Sequence, residues 1–182
     1  MKTTKAFIKC GNLNLQNDLD YHINEGLSLT NSVHMVGSDR YHDFINFVRE
    51  KYELGEIVVT NDDRFILEKL RTGTEALWKN RKSGKTERVI LDSPKRGDKG
   101  GKKFYVFRPT NKKDKESGLV FAKVLGFGDP ESKVRNDDKE ASKSFLARHK
   151  CSSKTDLDTP GWWSCNVHRF WKQLGLKSDN KW

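Results

Sequence analysis

The sequence is short of cysteine and of long hydrophobic runs, and each shortage excludes a class of protein. Three cysteines, an odd number, argue against the disulfide framework of a small secreted domain. Cys151 and Cys165 are therefore interpreted first as thiols, and Cys10 as a buried or bystander thiol. No stretch approaches the roughly 20 apolar residues of a membrane helix, so we expect no membrane association.

The first residues also lack the apolar run of about 7 to 15 residues that a signal peptide needs. We therefore expect a protein that works in a reducing cytoplasm. No internal repeat or low-complexity tract is present, which excludes solenoid architectures.

The composition predicts a modest core. Apolar residues make up 34% of the 182 residues and charged residues 33%, whereas globular domains average about 45–50% apolar (glycine included) and about 25% charged. The length suits one domain, or one core with a small appendage. We expect a heavily solvated surface and long polar loops.

Positive charge is concentrated in the middle of the chain. The net charge is +10, yet residues 1–78 hold 9 Lys/Arg against 12 Asp/Glu. Residues 79–125 hold 15 against 5, and residues 126–182 hold 11 against 8. The middle quarter therefore carries the whole excess.

The N-terminal third is predicted to be an arm followed by helices. Residues 1–35 alternate apolar and polar side chains only briefly, and we expect an extended arm that packs on another chain. Ser38 is a good N-cap, and an apolar stripe at helical spacing follows it. The stripe consists of Tyr41, Phe44, Ile45, Val48 and Tyr52. Residues 56–60 are β-branched and predict a short strand. Asn61 or Asp62 is expected to cap a second helix, which completes a helical region over residues 36–78.

The middle of the chain predicts strands. Residues 86–91 fit one strand, and residues 103–108 and 119–125 fit a hairpin. The intervening Gly- and Lys-rich loop is expected to be exposed. Residues 119–125 carry apolar side chains on both faces, so we expect a helix to cover at least one face of the sheet.

The C-terminal part predicts two helices. Asp137 or Asp138 caps the first, which carries His149 near its end. Ser164 is expected to cap the second, whose apolar stripe has 3,4 spacing. That stripe is Val167, Phe170, Trp171 and Leu174. The predicted fold class is thus α+β: a helical N-terminal region, a small antiparallel sheet and a C-terminal two-helix knuckle. Residues 79–182 form the basic hairpin and the knuckle, in one compact domain with residues 36–78.

Two thiols and two imidazoles converge in the C-terminal stretch. His149-Lys-Cys151 is followed by Cys165-Asn-Val-His168, the latter in C-x-x-H spacing, which places two ligands side by side on a helix. A Cys2His2 zinc site of His149, Cys151, Cys165 and His168 is one interpretation. Packing or hydrogen bonding is the second, and a nucleophilic Cys–His pair is the third.

The basic middle segment suggests a nucleic-acid interface. Basic side chains along a Gly-rich loop suit a phosphate track, and aromatic side chains nearby suit base stacking. The predicted contact residues are Lys79, Arg81, Lys82, Lys85, Arg88, Lys95, Arg96, Lys99, Lys102, Lys103 and Tyr105. The alternatives are a solvated loop that keeps the protein soluble and an interface with an acidic protein partner.

Carboxylates offer weaker support for an enzyme. A metal-dependent nuclease would need several of them close together, and Glu131-Ser-Lys133 matches the end of a restriction-type nuclease motif. The candidates are Asp92, Asp129, Asp137, Asp138 and Glu140. Asp137 and Asp138 are already accounted for as helix caps, so the chain leans away from catalysis.

Several motifs resemble a module of uncharacterised proteins from large tailed bacteriophages. They include Phe127-Gly-Asp-Pro130, Ser144-Phe-Leu-Ala-Arg-His-Lys-Cys151 and Pro160-Gly-Trp-Trp-Ser-Cys165. The resemblance covers residues 26–176. The position of His168 varies in similar proteins, so the resemblance favours His149, Cys151 and Cys165 as zinc ligands.

The resemblance implies a virion or head-associated structural protein. Its partners would be other phage structural proteins together with nucleic acid or an acidic neighbouring subunit. It would lie in the host cytoplasm during infection and then in the virion. The alternatives from other classes are a DNA-processing enzyme and a cytoplasmic DNA-binding protein.

Overall fold

The computed structural model describes residues 12–97, 99, 101–135 and 137–177. The fold is α+β, as predicted: a helical N-terminal part and two C-terminal helices pack on a five-stranded sheet. The helices are α1 Asn12–Asn24, α2 Asp39–Glu53, α3 Asn61–Lys69, α4 Lys139–His149 and α5 Pro160–Cys165. The strands are β1 Glu75–Lys79, β2 Thr86–Ile90, β3 Lys95–Arg96, β4 Phe104–Lys113 and β5 Val120–Phe127.

The N-terminal arm is a correction. Within the predicted extended stretch 1–35, residues Asn12–Asn24 form α1, and Leu15, Leu19 and His22 are buried on one side of it. Their i, i+4, i+7 spacing is that of a helical stripe, which brief alternation in the sequence concealed. Residues 1–11, including Cys10, lie outside the described part of the chain.

The helix that follows Ser38 is confirmed. Ser38 accepts a hydrogen bond from the Tyr41 amide, and Phe44, Ile45 and Val48 are at most 1% exposed. Residues 56–60 form no strand, and Val58 is 93% exposed. The β-branched run instead leads into Thr60, whose side chain caps α3.

The sheet is mixed, whereas the sequence predicted a purely antiparallel one. Its strand order is β2-β1-β5-β4-β3. β1 pairs in parallel with β5 through Leu77 and Phe121, and the other neighbours are antiparallel. The predicted hairpin is confirmed as β4 and β5. β1 was missed because it falls at the end of the region predicted to be helical.

The two faces of the sheet differ in what covers them. The helices pack on the face that contains Phe104, Val106 and Phe127, around the fully buried Trp163. The opposite face holds a smaller apolar cluster around Tyr105 and Phe107, formed by strand and loop residues alone. The predicted helical cover is therefore confirmed for one face, and the other face is left to loops.

The last predicted helix is shorter than expected. It begins at Pro160 and ends at Cys165, and a 3-10 turn, Val167–Phe170, follows. The break occurs at Asn166, whose side chain donates a hydrogen bond to the Trp162 carbonyl. Such local side-chain bonding competes with continuation of a helix. Ser164 is therefore inside the helix and is not its cap.

Candidate nucleic-acid interface

The basic side chains of the middle segment border two separate depressions. The first, which we call the sheet groove, has a volume of about 1480 Å3 and is lined by the end of β1, the turn after it, the loop before β4, and the middle of β4 and β5. Trp78 and Phe121, both half-buried, contribute its aromatic surface. Its cationic residues are Lys79, Arg81, Lys82, Lys99, Lys112 and Lys123.

The sheet groove has charge of one sign. Six cationic side chains line it, and no carboxylate is among the described residues that do so. Lys123 forms an ion pair with Asp158 at 3.4 Å, and the other five form none with any described residue. The five converging cations without ion-pair partners favour an anionic ligand because their mutual repulsion is relieved when it binds.

Lys99 covers the aromatic cluster beside the groove. Its ammonium group lies 4.4 Å from the ring centre of Trp78 and 5.5 Å from those of Tyr105 and Phe107, within the range of cation–π attraction. Tyr105 is only 9% exposed. Trp78 is half-buried and is thus the more accessible of the two rings, and a nucleic-acid contact at Tyr105 stays a prediction.

Seven of the predicted contact residues do not line the sheet groove, and Lys85, Arg88 and Lys95 are three of them. Lys85 is exposed in the turn before β2, and Lys95 is exposed on β3. Arg88 on β2 pairs with Glu75 of β1 at 2.9 Å, across two paired strands. An opposite-charge cross-strand pair of this kind stabilises the sheet edge.

Arg96 has a structural role. Its guanidinium group donates hydrogen bonds to the carbonyls of Leu174 and Gly175 and lies 5.4 Å from the ring centre of Phe104. It therefore fastens β3 to the C-terminal segment, and its donors are engaged before any ligand arrives.

Lys102 and Lys103 border the second depression, which we call the C-terminal cleft. Its volume is about 1080 Å3, and it lies between the ends of β4 and β5, the loop after β5, α4 and α5. Phe104, Phe127 and Phe145 supply apolar surface. Its strongly basic residues are Lys102, Lys103, Lys133, Arg135, Arg148, Lys150 and Lys154.

One carboxylate lines the C-terminal cleft. Hydrogen bonds from the Ser132 hydroxyl and the Glu131 amide hold the pKa of Asp129 below its usual value. None of the seven cations forms an ion pair with a carboxylate of the described residues. Seven cations against one carboxylate give the lining of the cleft a net charge of +6, equal to that of the sheet groove.

The predicted zinc ligands are arranged around a disulfide. Cys151 and Cys165 are bonded, with an S–S distance of 2.08 Å and 5.5 Å between their Cα atoms. A disulfide sulfur carries no thiolate charge and does not suit Zn2+, so in this state the knuckle is closed covalently instead of by a metal. The expectation of free thiols at these two positions is corrected.

The two histidines occupy different surroundings. His149 ends α4, is exposed and packs on Phe145, with ring centres 4.3 Å apart. His168 is 9% exposed in the 3-10 turn after α5. Within the described residues, no group of three or more His, Cys, Asp or Glu side chains is placed to hold a metal.

Among the carboxylates, Asp92 belongs to the core. It is fully buried, pairs with Arg108 at 2.5 Å and accepts a hydrogen bond from the Arg71 amide. Burial raises the pKa of Asp92, and the Arg108 charge opposes that shift. Arg108 also reaches Asp158 at 3.2 Å. This network joins β4 to Asp92, which follows β2, and to Asp158, which precedes α5.

The other carboxylates serve the local backbone or exposed ion pairs. Asp138 caps α4 through the amides of residues 140 and 141. Asp137 pairs with Lys177, and Glu140 pairs with Lys143. The described structure does not bring these carboxylates together, so the nuclease alternative gains no support from the described geometry.

Trp78, Phe121, Lys112 and Lys123 are site residues that the sequence did not indicate. Trp78 lies on β1, which was not predicted. Phe121 and Lys123 lie on a predicted hairpin strand, and Lys112 lies in the predicted connection between the two strands, which β4 extends into. An alternation of apolar residues at positions 76 and 78 is the only signal of β1, and five residues are too few to distinguish a strand from a helix end.

No protein-family model, no curated protein and no solved structure matches this chain. No helix among the described residues is long and apolar enough to cross a membrane.

Proposed function

We propose that the chain is a virion or head-associated protein of a tailed phage, and that it binds single-stranded nucleic acid in the sheet groove. The observation that carries the binding proposal is the groove itself: six cations and no lining carboxylate around the ring of Trp78. Grooves that combine backbone-tracking cations with an aromatic platform are typical of single-strand binders. Duplex DNA lacks the unstacked bases that such a platform uses.

Lys99 supports the role of Trp78 as a platform. The ammonium group occupies the electron-rich face of the indole, where a base would stack. The loop that carries Lys99 contains Gly97 and Gly101, which permit backbone movement that other residues resist. A bound strand would thus replace the ammonium with a base, while Lys99 moves to a phosphate.

The disulfide supports the virion setting. Disulfides persist in oxidising surroundings, including virion surfaces, and are rare in the cytosol. The bond between Cys151 and Cys165 therefore suits a protein that leaves the cell in a particle. The resemblance to tailed-phage proteins points the same way. Mass spectrometry of washed particles of the encoding phage tests this part, and absence of the chain from them would refute it.

Binding is tested by fluorescence anisotropy with a labelled oligo(dT) over a salt series. Each phosphate neutralised on a single strand contributes about 0.7 to the slope of log K against log [salt]. Replacing Lys79, Arg81 and Lys82 with alanine should therefore lower the slope by about 2. The control, Arg64→Ala with Lys69→Ala and Lys139→Ala, removes the same charge from exposed positions outside both depressions.

A second variant tests stacking. Trp78→Leu keeps an apolar side chain and removes the indole, and loss of one stacked base corresponds to about 1–3 kcal/mol. Competition with duplex DNA and with polyglutamate distinguishes the ligand classes. Equal affinity for polyglutamate would favour an acidic protein partner, and tighter binding of the duplex would contradict the single-strand proposal.

A further inference from the structure

The C-terminal cleft has the chemistry of a second phosphate-binding site. Seven cations border it, and they come from four separate parts of the chain: the loop before β4, the loop after β5, α4 and the segment between α4 and α5. A solvated helix face would carry its charges on one element and alternate their signs. Charges that converge from four segments on one concave surface indicate an anion that spans them.

The cleft and the sheet groove are neighbours through one loop. Gly101 lines the groove, and Lys102, the next residue, lines the cleft. β5 also runs from one to the other, with Val124 at the groove and Phe127 at the cleft. Three residues of a strand span about 10 Å. Val124 and Phe127 face opposite sides of the sheet, so a strand that joins the two depressions passes around the sheet beside Gly101 and Lys102.

The basic surface continues beyond the cleft. Lys103, Lys133 and Arg135 also line a third, smaller depression, together with Arg96, Lys177 and two carboxylates, Asp137 and Asp138. Lys177 is paired with Asp137, so Lys103, Lys133 and Arg135 are the cations that this depression shares with the cleft. A compact ligand such as a free nucleotide would use only one of these spaces. An elongated polyanion would use them in succession, which matches their sharing of residues.

We propose that the C-terminal cleft binds the sugar-phosphate backbone of a second segment of the same strand that occupies the sheet groove. This inference rests on the proposed function, because the groove must hold the first segment. Phosphates contact Lys133, Arg135 and Arg148 at the rim, and the half-buried ring of Phe145 faces sugar and base edges. Two linked segments bind more tightly than either alone, since the second binds from a high effective concentration.

The test compares oligo(dT) probes of about 4 and about 16 nucleotides, which bracket common single-strand site sizes. The cleft variant replaces Lys133, Arg135 and Arg148 with alanine, because all three are exposed and form no ion pair with a described residue. It should bind the long probe about 10²-fold more weakly, because it loses the affinity that linking two binding segments provides. On the short probe, which either site accepts, its affinity should fall by at most about twofold.

The salt dependence gives an independent readout. On the long probe the cleft variant should lower the slope of log K against log [salt] by about 2, at about 0.7 per phosphate. The charge-matched control at Arg64, Lys69 and Lys139 should leave both the slope and the affinity close to wild type. Unchanged urea midpoints establish that the variants are folded.

The outcomes separate the two proposals. If the wild-type protein binds neither probe, the proposed function is wrong, and the cleft inference goes with it. The other case is that the wild type binds both probes and the cleft variant keeps its affinity for the long probe within about twofold, instead of losing about 10²-fold. The cleft inference alone is then overturned.

Discussion

The disulfide between Cys151 and Cys165 should contribute a large share of the stability of the C-terminal region. The two cysteines are 14 positions apart, so the bond closes a loop of about 15 residues. The chain-entropy model assigns about 3 kcal/mol to a loop of that length, since closure restricts the unfolded chain. The loop includes α5 and the buried Trp163, so breaking the disulfide also weakens the packing of the core around Trp163.

The perturbation is reduction, followed by equilibrium urea unfolding monitored by tryptophan fluorescence. With a denaturant slope near 2 kcal/mol per molar, a loss of about 3 kcal/mol lowers the midpoint by about 1.5 M. A Cys151→Ser and Cys165→Ser double variant should show a similar midpoint with or without reductant. Cys10→Ser is the control, because it removes the remaining thiol and leaves the bonded pair.

Thiol counting decides whether the bond exists in solution. In denaturant without reductant, the protein should show one reactive thiol, since two of its three cysteines are bonded. A midpoint unaffected by reduction would refute the stability argument. Three reactive thiols together with one equivalent of zinc would refute the disulfide itself and restore the predicted metal clasp.

Three further predictions concern the fold. Arg108→Ala leaves the buried carboxylate of Asp92 without its main counter-charge and should lower the free energy of unfolding in urea by about 3–5 kcal/mol. The double variant Arg108→Ala with Asp92→Ala should lose less than the sum of the two single variants. Burial lowers the pKa of His42 below 6.5. The unfolded chain therefore takes up the proton first, so stability should fall as pH drops through and below 6.5, and His42→Gln should remove part of that fall. Gly73→Ala should destabilise by about 1–3 kcal/mol, because φ is +89° and the new Cβ would lie 2.9 Å from the His42 carbonyl. Gly55→Ala, with φ +73° and open space around it, should lose less, and equal losses would contradict the steric argument.

The sequence predicted those elements whose signals are local. The Ser38 cap, the apolar stripe of α2 and the β4–β5 hairpin each depend on neighbouring residues and were confirmed. The parallel pairing of β1 with β5 joins residues 77 and 121, and no local pattern specifies such a pairing. The strand order of the sheet could therefore not be predicted from the sequence, whereas its hairpin could.

The candidate site shows the same division. The concentration of cations was visible in the sequence, and four of them, Lys79, Arg81, Lys82 and Lys99, line the sheet groove. Which side chains can face a ligand depends on burial, and Trp78 is more exposed than Tyr105. Of the Cys–His cluster, the structure brings the two cysteines together and leaves the two histidines in different surroundings. Residue types alone do not decide between a metal and a covalent bond, because the same thiols serve both.

Because β3 is attached to the C-terminal segment, this part of the fold can form only after that segment has been synthesised. Gln173 donates hydrogen bonds to the Ser93 hydroxyl and the Pro94 carbonyl, and Arg96 reaches Leu174 and Gly175. A ribosome makes these partners about 80 residues later, at roughly 5–20 residues per second. The β3 edge of the sheet is therefore completed only seconds after its own residues emerge. A nascent chain would thus expose the basic residues of its middle segment before the fold has positioned them.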